Sequence, residues 1–147
     1  FPALAAADAT SLPVESATVT QGNRQKILLV EDDLNVLEVA KAILERLNYR
    51  VITATDGEAA LQIYHYYNAE IDLVLTDLTM PKMGGIKLAL ALREQNPNIR
   101  IAMMTGYPLK NDAKTLHSHG FTGWVQKPLN TRELGNLLYR LLNESPS

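Results

Sequence analysis

LVLTDLTMPKMGG, residues 73–85, decides how this chain is read. Leu73 to Thr76 form a short apolar run, as expected for a strand covered on both faces. The run delivers a carboxylate, Asp77, to its end, and the chain then turns at Pro81 and Gly84-Gly85. A single Asp at that place can cap a helix, bind a ligand or react. The rest of the chain has to decide between them.

Outward from this stretch the pattern repeats. KILLVE (26–31), RVITA (50–54), IRIAMM (99–104) and TGWVQ (122–126) read as strands, and IDLVLT (71–76) completes the central one. Between them lie amphipathic segments. Val36, Leu37, Ala40, Ile43, Leu44 and Leu47 share one helical face, with Glu38, Lys41 and Glu45 on the other. Asp56 is placed to cap a helix containing Ala60, Leu61 and Tyr64. IKLALALREQN (86–96) is a third helix, and LKNDAKTLHSHG (109–120) a poorer fourth with only Leu109, Ala113 and Leu116 spaced for burial. Thr131 begins a last helix lined by Leu134, Leu137, Leu138, Leu141 and Leu142. The alternation is (βα) five times, which predicts an α/β fold with a parallel sheet and helices on both faces.

Composition bounds the function. The 147 residues suit one domain, and 46% hydrophobic content suffices for a core. A net charge of −2 gives no electrostatic footprint for nucleic acid. No apolar run approaches the ~20 residues of a membrane span, so no membrane contact is expected of this domain. Cysteine is absent, which excludes disulfides and thiolate metal sites and fits a cytoplasmic location, with any membrane anchor belonging to a parent chain. The chain opens on Phe1 without a basic or long apolar leader, and reads as an excised or processed fragment. Residues 1–25, rich in Ala, Ser and Thr, read as a linker, residues 26–143 as the domain and 144–147 as a tail.

The strand ends carry the chemistry. The first ends in Glu31-Asp32-Asp33, the third in Asp77, the fourth in Thr105 and the fifth in Lys127. In open α/β sheets ligands sit outside the carboxyl ends of the strands. Clustered carboxylates repel unless a cation sits among them, and hard oxygen ligands on a half-open rim suit Mg²⁺. Lys127 and Thr105 add a positive charge and a hydroxyl donor. Together these residue types describe a phosphoryl pocket in which one carboxylate can be a covalent acceptor.

VEDD (30–33), TDLTMPKMGG (76–85), MMTGY (103–107) and WVQKP (124–128) together resemble, in order and spacing, the signatures of response-regulator receiver domains. The resemblance covers residues 26–143. It implies a flavodoxin-like (βα)5 three-layer sandwich with sheet order 2-1-3-4-5, an order that receivers themselves exemplify. It implies that Asp77 is the phosphoacceptor and that Glu31 and Asp32 hold Mg²⁺ with Asp77 and the backbone carbonyl of Thr79. It makes Lys127 the phosphate-contacting lysine, Thr105 the hydroxyl switch and Trp124 the aromatic switch, and it implies a cis Lys127-Pro128 peptide. Two positions depart from the commoner pattern: Glu31 stands where many receivers have Asp, and Trp124 where Tyr or Phe is usual. The implied partner is a histidine kinase or a histidine phosphotransfer domain, with the domain acting as an acceptor rather than an enzyme. FPAL (1–4) resembles the end of a kinase ATP-binding domain, which suggests a hybrid sensor kinase as parent; a stand-alone or N-terminal receiver is the alternative. TDLT also has a superficial likeness to haloacid-dehalogenase-type phosphohydrolases, but that motif belongs on a first strand. A pseudo-receiver that takes no phosphate would not need the full acid, hydroxyl and lysine set.

Other residues read more plainly. Asp33 suits a helix cap better than a metal ligand. His117 and His119 lie without acids or cysteines nearby and read as solvated. Tyr64, Tyr66 and Tyr67 spread around a helix, so some are exposed. Gly84-Gly85 serve a turn into the third helix rather than a phosphate cradle, because neither GxxxxGK[ST] nor GxGxxG occurs.

Overall fold

The computed structural model describes residues 20–78, 80, 83–106 and 120–143. Five strands, β1 (Lys26–Val30), β2 (Arg50–Ala54), β3 (Leu73–Asp77), β4 (Ile101–Thr105) and β5 (Gly123–Gln126), form one sheet. Every pairing is parallel, and the order is β2-β1-β3-β4-β5. The described helices are α1 (Leu34–Arg46), α2 (Gly57–Tyr67), α3 (Gly85–Gln95) and α4 (Thr131–Asn143). Several sequence readings fall outside the described residues: the bulk of the linker, the helix over 109–119 with His117 and His119, Thr79, and the tail.

The period of two along each strand divides the core into two layers. Ile27, Leu29, Leu73, Leu75 and Met104 face α1 and α4, where they meet Leu37, Ala40, Leu44, Leu134 and Leu138. Leu28, Val30, Val74, Ile101 and Met103 face α2 and α3, where they meet Ala60, Tyr64, Leu88 and Leu92. The result is the expected three-layer sandwich. Truncation of any of these fully buried leucines to Ala costs about 2–5 kcal/mol by transfer and cavity terms together. Among the described residues no helix is long and apolar enough to cross a membrane.

The helix ends follow from local chemistry. The Asp33 side chain accepts from the N–H groups of Asn35 and Val36 at the start of α1, and Asp56 accepts from Ala59 N–H at the start of α2. Asn130 caps α4 by accepting from Glu133 N–H. At the C-terminus of α1, Asn48 takes a left-handed φ of 73°. This lets Tyr49 N–H reach Leu44 O and Asn48 N–H reach Glu45 O, a Schellman closure with Tyr49 folded back into the core.

One clamp fixes the entry to β5. Arg93 on α3 donates through Nε (3.0 Å) and Nη2 (2.7 Å) to the Gly120 carbonyl, and through Nη1 to the Pro97 carbonyl (2.9 Å). Gly120 has a φ of +96°, a conformation that favours glycine.

Candidate functional site

The parallel sheet places every strand's carboxyl end on one rim, and the polar strand ends gather there. Glu31 follows β1 and is almost fully buried, at 1% exposure. Asp77 ends β3, pairs in register with Met104 and is 7% exposed. Thr105 ends β4 and is buried. Lys127 follows β5, and its N–H donates to Thr105 O (2.7 Å), which sets the lysine beside that strand end. The Lys127-Pro128 peptide is cis.

The lysine is the hub. Its Nζ lies 2.8 Å from Glu31 Oε1 and 2.9 Å from Asp77 Oδ1. Glu31 Oε2 accepts from Asp33 N–H (3.0 Å), so the glutamate bridges the lysine to the start of α1. Glu31 Oε1 is buried, and its close partner is the Lys127 ammonium at 2.8 Å.

Glu31, exposed Asp32 and Asp77 each bring one carboxylate oxygen within 4.8 Å of the others. Opposite ligands of an octahedral Mg²⁺ ion lie about 4.2 Å apart, from bond lengths of about 2.1 Å. The cluster therefore fits Mg²⁺ with a small contraction or a bridging water. An all-oxygen, mostly anionic set is the donor chemistry that this ion prefers.

Trp124 on β5, in register with Met103 on β4, is half-buried on the α2/α3 side of the sheet. Two contributors to the rim escape a reading of residue types. Thr76 Oγ1 donates to the Asp77 carbonyl (3.0 Å) from a fully buried position. Gly85 N–H donates to Leu78 O, and a Cβ at Gly85 would stand 2.6 Å from the Asp77 carbonyl oxygen. Gly85 is thus more than a turn residue, because its missing side chain lets α3 start against the backbone of the acid itself. The GG pair was the available signal.

The charges perturb one another. Burial pushes the Glu31 carboxyl above the usual range, against the pull of Lys127 and the Asp33 N–H. Burial works to lower the Lys127 ammonium, but the Glu31 and Asp77 carboxylates outweigh it and hold the lysine above its ordinary value. A raised acid pKa means that folded Glu31 takes up its proton before the unfolded chain does. Without metal, stability is therefore expected to rise as pH falls from above the folded pKa of Glu31 toward the ordinary glutamate value. The Lys127 contribution has the same sign at the other end: it is present below the ordinary lysine pKa and is lost as pH rises through the raised one. Urea unfolding in EDTA across pH checks this. Glu31→Gln should flatten the acidic arm, and an unchanged arm would remove Glu31 as its cause.

The sequence matches the response regulator receiver domain family over residues 27–139. Among curated relatives, the chain is 31% identical over 131 residues to the sensor kinase CckA of Brucella abortus (strain 2308), covering 89% of this chain and 14% of that protein. It is 38% identical over 121 residues to the aerobic respiration control protein ArcA of Escherichia coli (strain K12), covering 80% and 50%. The chain thus spans half or less of these two relatives. Among solved structures it resembles the receiver domain of the sensor histidine kinase PA1611 of Pseudomonas aeruginosa PAO1, with a TM-score of 0.70 and 28% identity, covering 82% of this chain and 98% of that one. That structure has a magnesium ion coordinated in its active-site cleft.

Proposed function

The chain belongs to the response regulator receiver domain family, and from that premise we propose that Asp77 accepts a phosphoryl group from a phosphohistidine. The observation that carries this reading is the shared ion pair, with Lys127 Nζ within 2.9 Å of both Asp77 and Glu31 beside a three-carboxylate cluster. An Asp77 carboxylate oxygen attacks phosphorus, the N–P bond of the donor breaks, and its electron pair returns to the imidazole nitrogen. The product is an acyl phosphate on Asp77. Lys127 turns from its carboxylate partners to the phosphoryl oxygens, and Thr105 offers its hydroxyl to one of them. Glu31, Asp32 and Asp77 would hold a divalent cation, which the family resemblance would also bring to the Thr79 carbonyl, and the ion would supply positive charge to the phosphoryl group. Movement of Thr105 toward the phosphoryl group would free space for Trp124 to change rotamer, which is the switch.

An acyl phosphate is a high-energy product, so the donor must be equally activated; a phosphohistidine qualifies and a phosphate ester does not. We place the domain in a hybrid sensor histidine kinase. The CckA match takes in 89% of this chain, more than the residues from Lys26 onward can supply, so the likeness continues into the upstream segment. The higher identity to ArcA favours the second reading, a receiver within a response regulator. A linker to a kinase core would raise the local concentration of donor and acceptor. The test mixes the chain with radiolabelled ATP, then with a phosphorylated kinase core. Label is expected only in the second mixture. Label from ATP alone would overturn the acceptor reading, and no label from any histidine donor would make the domain a pseudo-receiver.

A further inference from the structure

The segment just before β1 packs against the domain with unexpected specificity. Gly22 N–H donates to Leu47 O (2.7 Å) and Arg24 N–H to Asn48 O (2.8 Å). The return contacts come from the domain: Asn48 Nδ2 donates to Gly22 O (2.9 Å) and Arg50 Nε to Arg24 O (2.7 Å). Further up, Thr20 Oγ1 donates to Asn136 Oδ1 on α4 (2.8 Å). Residues 20–24 therefore run beside the C-terminal end of α1 and reach α4 at Gly135 and Asn136.

Three features fit this contact. Gly135 lies inside α4, where Gly is the poorest helix former after Pro. A Cβ there would sit 3.0 Å from the Thr20 carbonyl oxygen and 3.2 Å from Leu47 Cδ2. Gly22 lies over the Tyr49 ring, which a Cβ would overlap. Arg24 holds a φ of 62°, which a non-glycine residue keeps only where its surroundings enforce it, as the two hydrogen bonds on its N–H and carbonyl do. Beneath the segment the Tyr49 ring is 2% exposed.

We propose that the face formed by the end of α1 and by α4 is an intramolecular docking surface for residues 20–24 of this chain, with Gly22 and Gly135 as the residues that set its fit. The docked strap fixes Thr20 beside α4, so that the chain is anchored there as well as at the start of β1. It also reserves this face for the chain's own segment, so that another protein can use it only once the strap has left. The proposal is independent of the phosphoryl chemistry.

Amide hydrogen exchange of the full chain tests it. In the unchanged protein the N–H groups of Gly22 and Arg24 are expected to exchange at least tenfold more slowly than unstructured amides. Gly22→Ala should remove that protection and lower Tm by a few degrees, with β1, β3 and β4 still protected. Gly135→Ala supplies a second reading that depends on sign. In the unchanged strap the added Cβ should not raise Tm. In the Gly22→Ala background, with the strap released, the Thr20 contact is gone while the Leu47 contact is common to both, so the same substitution should change Tm more favourably than it does in the unchanged strap. Protection at residues 22 and 24 that survives Gly22→Ala would overturn the proposal. So would a Gly135→Ala change in Tm of the same sign and size in both backgrounds.

Discussion

Asp77→Asn is expected to abolish phosphoryl uptake while leaving the fold intact. The amide is the same size and shape, but it is not the nucleophile that forms an acyl phosphate. Asp77 sits at the end of a strand whose other residues are fully buried, so the substitution disturbs no packing. It also takes one negative charge from a cluster where three carboxylate oxygens lie within 4.8 Å, which should weaken Mg²⁺ binding at least tenfold. Incubation with acetyl phosphate and Mg²⁺, followed by intact-protein mass spectrometry, reads the outcome. The unchanged chain should gain one acid-stable, base-labile phosphoryl group and the variant none. Full uptake by the variant would show that another residue is the acceptor.

The second large effect is expected at Lys127, where metal and phosphoryl transfer should respond in opposite directions. Lys127→Ala leaves buried Glu31 without its ion partner. One-sided removal of a buried ion pair costs about 3 kcal/mol or more. Glu31 can limit that loss by taking up a proton, since burial already raises its pKa. Mg²⁺ should bind the variant more tightly, because the competing ammonium 2.9 Å from Asp77 is gone, and should restore most of the lost stability. Phosphoryl transfer should nonetheless fall about 10²–10³-fold, the usual cost of losing one positioned charge from a developing anionic centre. Denaturant unfolding with and without Mg²⁺ gives the first pair of values. Single-turnover transfer at saturating Mg²⁺ gives the last. Transfer at the unchanged rate would leave Lys127 a structural counter-ion only.

The sheet and its charged rim were legible because strand ends report directly on the rim of a parallel sheet. RVITA is β2 to the residue. IDLVLT and IRIAMM begin later than the apolar runs suggest: Asp72 uses its side chain to accept from Lys26 N–H, and the strands proper run from Leu73 and Ile101. Both strands also take in their polar last residues, Asp77 and Thr105. Hydropathy hides this, because the ladder extends as far as the backbone pairs and not as far as apolar side chains do. Asp33 and Asp56 are caps, as their positions predict. Tyr64 is buried while Tyr66 and Tyr67 are exposed, which periodicity foresees only as a mixture. The packing of residues 20–24 was not legible. Its evidence is a glycine inside a helix more than a hundred residues away, and composition alone reads the segment as linker. Likewise, no residue type announces that Thr76 donates to the Asp77 carbonyl or that Gly85 leaves room for it.

Arg93 has a consequence for how the site keeps its dimensions. Lys127 comes only seven residues after Gly120, and the Gly120 carbonyl is bound by two guanidinium nitrogens from α3. α3 itself starts against the Asp77 backbone through Gly85. The lysine and the acid are therefore both measured from one rigid helix, as two marks on the same ruler. Changes of sequence or length within residues 107–119 have no need to be relayed to the rim, because the chain is re-zeroed at Gly120 before it enters β5. The Lys127–Asp77 spacing is thereby tied to α3 at both ends, whatever precedes Gly120.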